Sequence, residues 1–210
     1  YNPARADNSY QVVTGSDTDE TAVLDGLTIS GGNAYIYTNR NGAGLVIEYG
    51  SPGISYCTFI NNSAQYFGGG IYNYYSSPKI VNCNFIQNSA QDKGGGIYNY
   101  QSNPVLTNCT FSDNSADYGG GIHNSHGNPG MADCTFIGNL SRQGGGIFND
   151  KSFATLINCT FMQNLVEDEG GGIYSNANNP NLNNCTFIEN SAEYGGGAMS
   201  CNGGAPNIDS

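Results

Sequence analysis

Six cysteines (Cys57, Cys83, Cys109, Cys134, Cys159 and Cys185) follow one another at spacings of 26, 26, 25, 25 and 26 residues, each inside the same run of sequence. Around Cys83 the chain reads SSPKIVNCNFIQNSAQDKGGGIYNY, and around Cys109 it reads SNPVLTNCTFSDNSADYGGGIHNS. A Phe stands two residues after each cysteine (Phe59, Phe85, Phe111, Phe136, Phe161, Phe187) and an Asn five after (Asn62, Asn88, Asn114, Asn139, Asn164, Asn190). A glycine triplet then leads into Ile71, Ile97, Ile122, Ile147 and Ile173. A period of this length means one supersecondary unit per repeat, each covering its neighbour's apolar face.

The unit is built of strands. Cys-Thr-Phe alternates with period two, and β-branched and aromatic residues gather there. A glycine triplet in every repeat would cost a helix about 3 kcal/mol. A repeat of 25–26 residues is also too short for a strand plus a crossover helix. The pattern predicts an all-β fold, a parallel β-helix alternating strand and turn, with about eight rungs stacked about 4.8 Å apart. Cys, Phe and the Ile after the triplet point inward, joined by Ile54, Ile80, Leu106, Met131, Leu156 and Leu182. The repeated Asn forms an amide ladder over buried turn backbone. The chain reads as one solenoid over residues 1–210, with degenerate rungs in 1–56 and regular repeats in 57–210. In the degenerate part Leu27 and Ile29 replace Cys and Phe, GAGLVIEYGSP aligns with GGGIYNYYSSP, and YQVV and AVL mark the first strands.

The pairing of FxxN with GGGI resembles the polymorphic membrane protein repeat of bacterial surface proteins. The chain from about residue 10 to 210 is similar to the right-handed β-helix proteins of the pectin-lyase-like fold. That resemblance implies a right-handed coil, export, and a place outside the cell or on its surface. It does not choose an activity, because the fold hosts lyases, hydrolases, adhesins and stalks alike.

Charge and chemistry narrow the choice. A net charge of −11 with six scattered basic residues excludes nucleic acid as a partner. No apolar run is long enough to insert in a membrane. The chain opens at Tyr1 without a signal-peptide pattern, so a processed product or a fragment is expected. Seven cysteines raise disulfides first, but stacked in-register side chains hold their β-carbons too far apart, so free buried thiols are expected. Cys201 lies off the column, as the candidate for an exposed thiol.

Polysaccharide-cleaving sites need carboxylates converging on one bond. The row after each Cys reads Thr58, Asn84, Thr110, Thr135, Thr160 and Thr186, and four after Cys only Asp113 and Glu189 are acidic. No catalytic set is assigned. The acidic runs Asp17, Asp19, Glu20 and Glu167, Asp168, Glu169 read as solvated turns in preference to calcium sites, so no metal and no cofactor is expected. His123 and His126 read as solvent-facing. The row Tyr72, Tyr98, His123, Phe148 and Tyr174 follows the inward Ile and points outward, where stacked rings hold sugars or simply stabilise cross-strand pairs. The Thr row is a regular face of the kind that orders water. Sequons at Asn61, Asn108, Asn139, Asn158 and Asn184 are mostly by-products of the repeat.

Counting back and forward from the Cys column, the chain spans a whole number of turns. Tyr10, Val12, Leu27, Ile208 and Cys201 then lie at ends able to stack head to tail, about 38 Å per subunit, an open contact that makes filaments. The first reading is therefore a non-enzymatic extracellular solenoid, a stalk, adhesin-like module or fibre subunit, whose partners are itself or other surface proteins. The second is a carbohydrate-binding or carbohydrate-cleaving β-helix, with polysaccharide as partner.

Overall fold

A computed structural model describes residues 10–35, 40–204 and 206–209. The chain winds as a parallel solenoid of four sheets. One rung shows the plan: strand Ile71–Tyr74 in the first sheet, Lys79–Val81 in the second, Asn84–Ile86 in the third and Ser89–Ala90 in the fourth. The first and second sheets have eight strands each and the third and fourth seven. That makes seven full rungs and half of an eighth among the described residues, where about eight were expected. Each rung also carries four short strands where alternating strands and turns were read as two.

Register is kept through every rung. Ile71 stands beside Leu45 and Ile97, Phe85 beside Phe59 and Phe111, and Ile80 beside Ile54 and Leu106. Ile29 takes the Phe position of the first rung, beside Phe59. The inward columns merge into one core from Ile29 to Leu182, and the cysteines from Cys57 to Cys159 are fully buried in it. Phe59, Phe85, Phe111, Phe136 and Phe161 are wholly buried, worth about 2–3 kcal/mol each from burial. Their rings stack in parallel at 4.6–4.9 Å, and Phe187 continues the pile.

Four corners turn the chain, and at each one residue per rung takes a left-handed backbone. Following the second sheet it is Tyr56, Asn82, Asn108, Asp133, Asn158 and Asn184; following the third, Asn61, Gln87, Asp113, Gly138, Gln163 and Glu189. Following the fourth it is Gly68, Gly94, Gly119, Gly144 and Gly170, the first glycine of each triplet. Only this corner needs glycine: a β-carbon on Gly94 would run into the carbonyl of Ile97. Following the first sheet it is Tyr49, Tyr75, Gln101, His126, Lys151 and Ala177.

Turning inward at a corner buries backbone N–H groups, and the Asn column supplies their acceptors. Asn88 donates its backbone N–H and an amide N–H to Asn114 Oδ1 at 3.0 and 3.1 Å, and its other amide N–H to the Phe59 carbonyl at 2.9 Å. The same triple contact recurs up to Asn190. A second inward ladder runs along the first sheet. Asn73, Asn99 and Asn124 each donate to the Oδ1 above at 2.8–2.9 Å, and Asn149 donates to Ser175 Oγ at 3.2 Å. It begins above Ile47, where Asn73 Oδ1 has no partner.

All seven cysteines are free. The column thiols bond backbone carbonyls, as Cys83 Sγ does to Val81 at 3.3 Å. Hydrogen bonding to the neighbouring thiol, then burial, raises the pKa of Cys83, Cys134 and Cys185.

Ladder position sets the cost of losing an Asn. Asn114→Ala leaves two buried N–H groups of Asn88 and the Phe85 carbonyl without their side-chain partner, so it should destabilise by about 3 kcal/mol or more. Asn190→Ala, in the last rung and partly exposed, should cost about 1 kcal/mol. Urea denaturation measures both; a cost well under about 1 kcal/mol at Asn114 would refute the ladder's role.

Candidate functional site

The aromatic row lies on the outer side of the first sheet, but it is covered. Tyr72, Tyr98, His123, Phe148 and Tyr174 are only 2–8 % exposed. Their faces are spent on one another: Tyr72 on Tyr98 at 5.7 Å, His123 on Phe148 at 4.9 Å and Phe148 on Tyr174 at 5.0 Å. Residues just before the glycine triplets close the pile from outside, with Phe67 stacked on Tyr98 at 4.7 Å and Tyr118 edge-on to Phe148 at 5.4 Å. Lys93 Nζ sits 5.4 Å from the centre of the Phe67 ring. This row therefore has no free face to offer a sugar, which corrects the expectation.

His123 is corrected with it. Far from facing solvent, it is buried in the stack with Nδ1 unpartnered. Burial, and then the Lys93 charge, lower its pKa from 6.5 to about 3. His126 is exposed at the corner below Lys151, near the Tyr100 ring at 5.9 Å.

Exposed rings collect instead at the corner between the first and second sheets. Tyr49 and Tyr75, 61 % and 45 % exposed, stack face to face at 5.6 Å with 8° between planes. Tyr74 packs edge-on against both, at 5.6 and 4.6 Å, and stacks on Tyr100 at 5.4 Å. Left-handed backbone at Tyr49 and Tyr75 (φ 56° and 49°) throws these rings outward, an uncommon choice for bulky residues. Desolvation, with neighbouring tyrosines, raises the phenol pKa of Tyr74 and Tyr75. The corner offers aromatic faces and hydroxyls to solvent, chemistry that suits stacking and hydrogen bonding to polar ring compounds. It was legible in outline, since positions 49, 75, 101, 126 and 151 share one phase of the repeat.

Other candidates sit apart. Thr58, Asn84, Thr110, Thr135, Thr160 and Thr186 line the outer third sheet, in register beside a column of Ile60, Ile86, Ser112, Ile137, Met162 and Ile188. Asp113 and Glu189 are exposed corner residues three rungs apart, with Gly138 and Gln163 between them. Asp19 is held below the usual carboxylate range by the Thr21 hydroxyl and N–H, and Asp168 pairs with Arg142 at 2.9 Å. Among the described residues no three His, Cys, Asp or Glu side chains form a metal-holding group, and no helix is long and apolar enough to cross a membrane. Asn139 is buried in the ladder, while Asn61, Asn108, Asn158 and Asn184 are exposed.

The end residues differ in surroundings. Tyr10, Val12 and Leu27 are exposed on the first rung and Ile208 on the last half-rung. Cys201 is partly buried, stacked in register on Ser175 at the top of the second ladder, so it lies in an inward column of its own.

Burial of His123 carries a pH signature. The unfolded chain takes up a proton near pH 6.5 that the folded chain refuses until about pH 3. Its contribution is therefore complete above pH 6.5 and lost as pH falls toward 3. The melting temperature should drop between pH 6.5 and 5, above the range of ordinary carboxylates, and His123→Phe should flatten that drop. An unchanged slope would refute the burial.

Among known families, the model of the right-handed β-helix region matches residues 54–209. No curated protein matches the chain, and no solved structure does. With three quarters of its length covered by that match, and four parallel sheets coiled in register, the chain belongs to the right-handed β-helix family.

Proposed function

We propose that this chain is a non-enzymatic, structural β-solenoid that works outside the cell, as a stiff stalk, adhesin-like module or fibre segment. The observation that carries the reading is the continuity of its interior. One hydrophobic core runs from Ile29 to Leu182, the first Asn ladder from Asn62 to Asn190 and the second from Asn73 to Ser175, each without a break. Such a stack resists bending because any tilt between rungs breaks in-register backbone bonds and ladder bonds together. Its surface is polar and acidic with few cations, suited to a spacer that stays soluble beside other surface proteins.

The test is activity against acidic polysaccharides with and without Ca²⁺, read as new reducing ends. No release is expected; calcium-dependent cleavage would sink the structural reading. Small-angle scattering should give a rod of roughly 34 Å for seven rungs, whereas filaments would mean that copies join end to end.

A second reading, saccharide binding, is favoured by the exposed Tyr49–Tyr75 pair. Under it, Tyr49→Ala with Tyr75→Ala should abolish retention of the chain on a polysaccharide column and leave the melting temperature within a few degrees. Retention unchanged by the double substitution would remove this reading.

A further inference from the structure

Three stacked tyrosine pairs join successive rungs with nearly parallel rings: Tyr49–Tyr75 at 5.6 Å and 8°, Tyr72–Tyr98 at 5.7 Å and 7°, and Tyr74–Tyr100 at 5.4 Å and 9°. Their surroundings differ. Tyr72 and Tyr98 are buried, with Phe67 stacked on both rings. Tyr74 and Tyr100 are half-buried and boxed in, Tyr74 by the edges of Tyr49 and Tyr75 and Tyr100 by Tyr75 at 5.9 Å. Among the described residues only Tyr49 and Tyr75 combine a stacked phenol partner with an outer side open to solvent.

The backbone holds these two phenols at the pitch of the sheet. The Tyr49 N–H donates to the Tyr74 carbonyl and the Tyr75 N–H to the Tyr100 carbonyl, both at 3.0 Å. Tyr49 and Tyr75 therefore hold one position in successive rungs, about 4.8 Å apart. The residue after each is pinned as well: the Gly50 N–H donates to Ser76 Oγ at 3.2 Å, and the Ser76 N–H to Ser102 Oγ at 3.0 Å. The same corner carries Asp17 below and Gln101 above, so the tyrosine column stops at two. Tyr56 and Tyr194 are more exposed but have no stacked ring partner among the described residues. Two phenols fixed side by side meet at an effective concentration that separate chains do not reach.

We propose that Tyr49 and Tyr75 are a site of oxidative coupling, joined as dityrosine by a one-electron oxidant that draws on hydrogen peroxide, so that two rungs are stapled. Each phenol gives up its O–H hydrogen atom, and the two atoms together reduce one peroxide to two waters. The phenoxyl radicals then pair to form a carbon–carbon bond between one Cε of each ring. The hydrogen on each of those carbons moves as a proton to the phenoxyl oxygen, which restores both phenols. Stacked rings have to slide out and meet edge to edge for this bond, and the open corner gives them room that the covered Tyr72–Tyr98 pair lacks. The staple closes a 26-residue loop, constraining the unfolded chain as a disulfide does. The seven cysteines, all free, form no such link.

The purpose of the staple rests on the structural reading, but its chemistry does not: polysaccharide cleavage would sink that reading and leave the coupling untouched. The full chain, kept dilute, is treated with a haem peroxidase and hydrogen peroxide, and dityrosine fluorescence is followed. A fluorescent monomer is expected. Tryptic peptide 41–79, bounded by Arg40 and Lys79, holds both residues; it should be lighter by two hydrogens, with fragmentation placing the bond between Tyr49 and Tyr75. Tyr49→Phe and Tyr75→Phe keep the stacked ring and should each abolish the product, whereas Tyr74→Phe should retain it. The coupled chain should also melt several degrees above Tyr49→Phe given the same treatment. Absence of dityrosine, its survival in Tyr49→Phe, its appearance in covalent dimers alone, or equal melting temperatures would overturn the proposal. So would a bond joining peptide 41–79 to peptide 94–142, which carries Tyr98 and Tyr100.

Discussion

A coil of parallel strands has to turn inward four times per rung, and each turn pushes backbone N–H groups where water cannot reach. The Asn ladder answers that constraint at the corner after the third sheet, as Ser102 Oγ does for the Ser76 N–H and Cys83 Sγ for the Cys57 N–H at two others, and the register of the molecule depends on it. Each Asn uses one oxygen to accept two N–H groups from the rung below, and one amide N–H to hold a carbonyl beneath it. Buried polar groups left unpaired cost about 1–3 kcal/mol each, so a missing Asn would unsettle the corner and the pitch together. With the pitch fixed, Phe rings meet at 4.6–4.9 Å without adjustment, and the glycine triplet can pass close to the next rung. The apolar core follows from the register more than it creates it.

How much of this was legible follows from what the period exposes. Columns at a fixed phase were readable: Cys, Phe, Ile and the first Asn ladder stand where 25–26-residue spacing puts them. The four-strand rung was not, because strands of two to four residues are too short to show alternation. Nor do the corners announce themselves. Left-handed positions held by Tyr75, Gln101 and Lys151 carry none of the glycine that marks such backbone in sequence. The second ladder was hidden by its neighbours. In Ile97-Tyr98-Asn99 the alternation puts an amide inside, and a buried amide makes sense only once Asn73 and Asn124 are known to flank it.

The candidate site fared differently, for a physical reason. Outward direction can be read from alternation, but exposure depends on what else lies over the sheet. Tyr72, Tyr98 and Phe148 point outward and are nonetheless covered by Phe67 and Tyr118, with Lys93 over the Phe67 ring; all three stand just before a glycine triplet, at a position whose residue type changes from rung to rung. The position is regular, but residues as unlike as Phe67, Lys93, Tyr118 and Gln143 do not announce a cover. The Tyr49–Tyr75 pair escapes cover because it stands at a corner, where left-handed backbone turns the side chains away from both adjoining sheets.

The same logic gives the solenoid a direction. Strand pairing alone would let either end accept a new rung, since parallel edges expose donors and acceptors alike. Side chains break that equivalence. From Asn62 to Asn190 each Asn donates upward and accepts from below, so every rung shows donors on its upper side and an acceptor oxygen on its lower side. Gly32, where the Ala43 carbonyl leaves no room for a β-carbon, gives its N–H to Asn62 Oδ1 and has no side chain to take the ladder further down. In a repeat protein built from near-identical units, polarity of this kind is carried by the few positions that depart from the repeat.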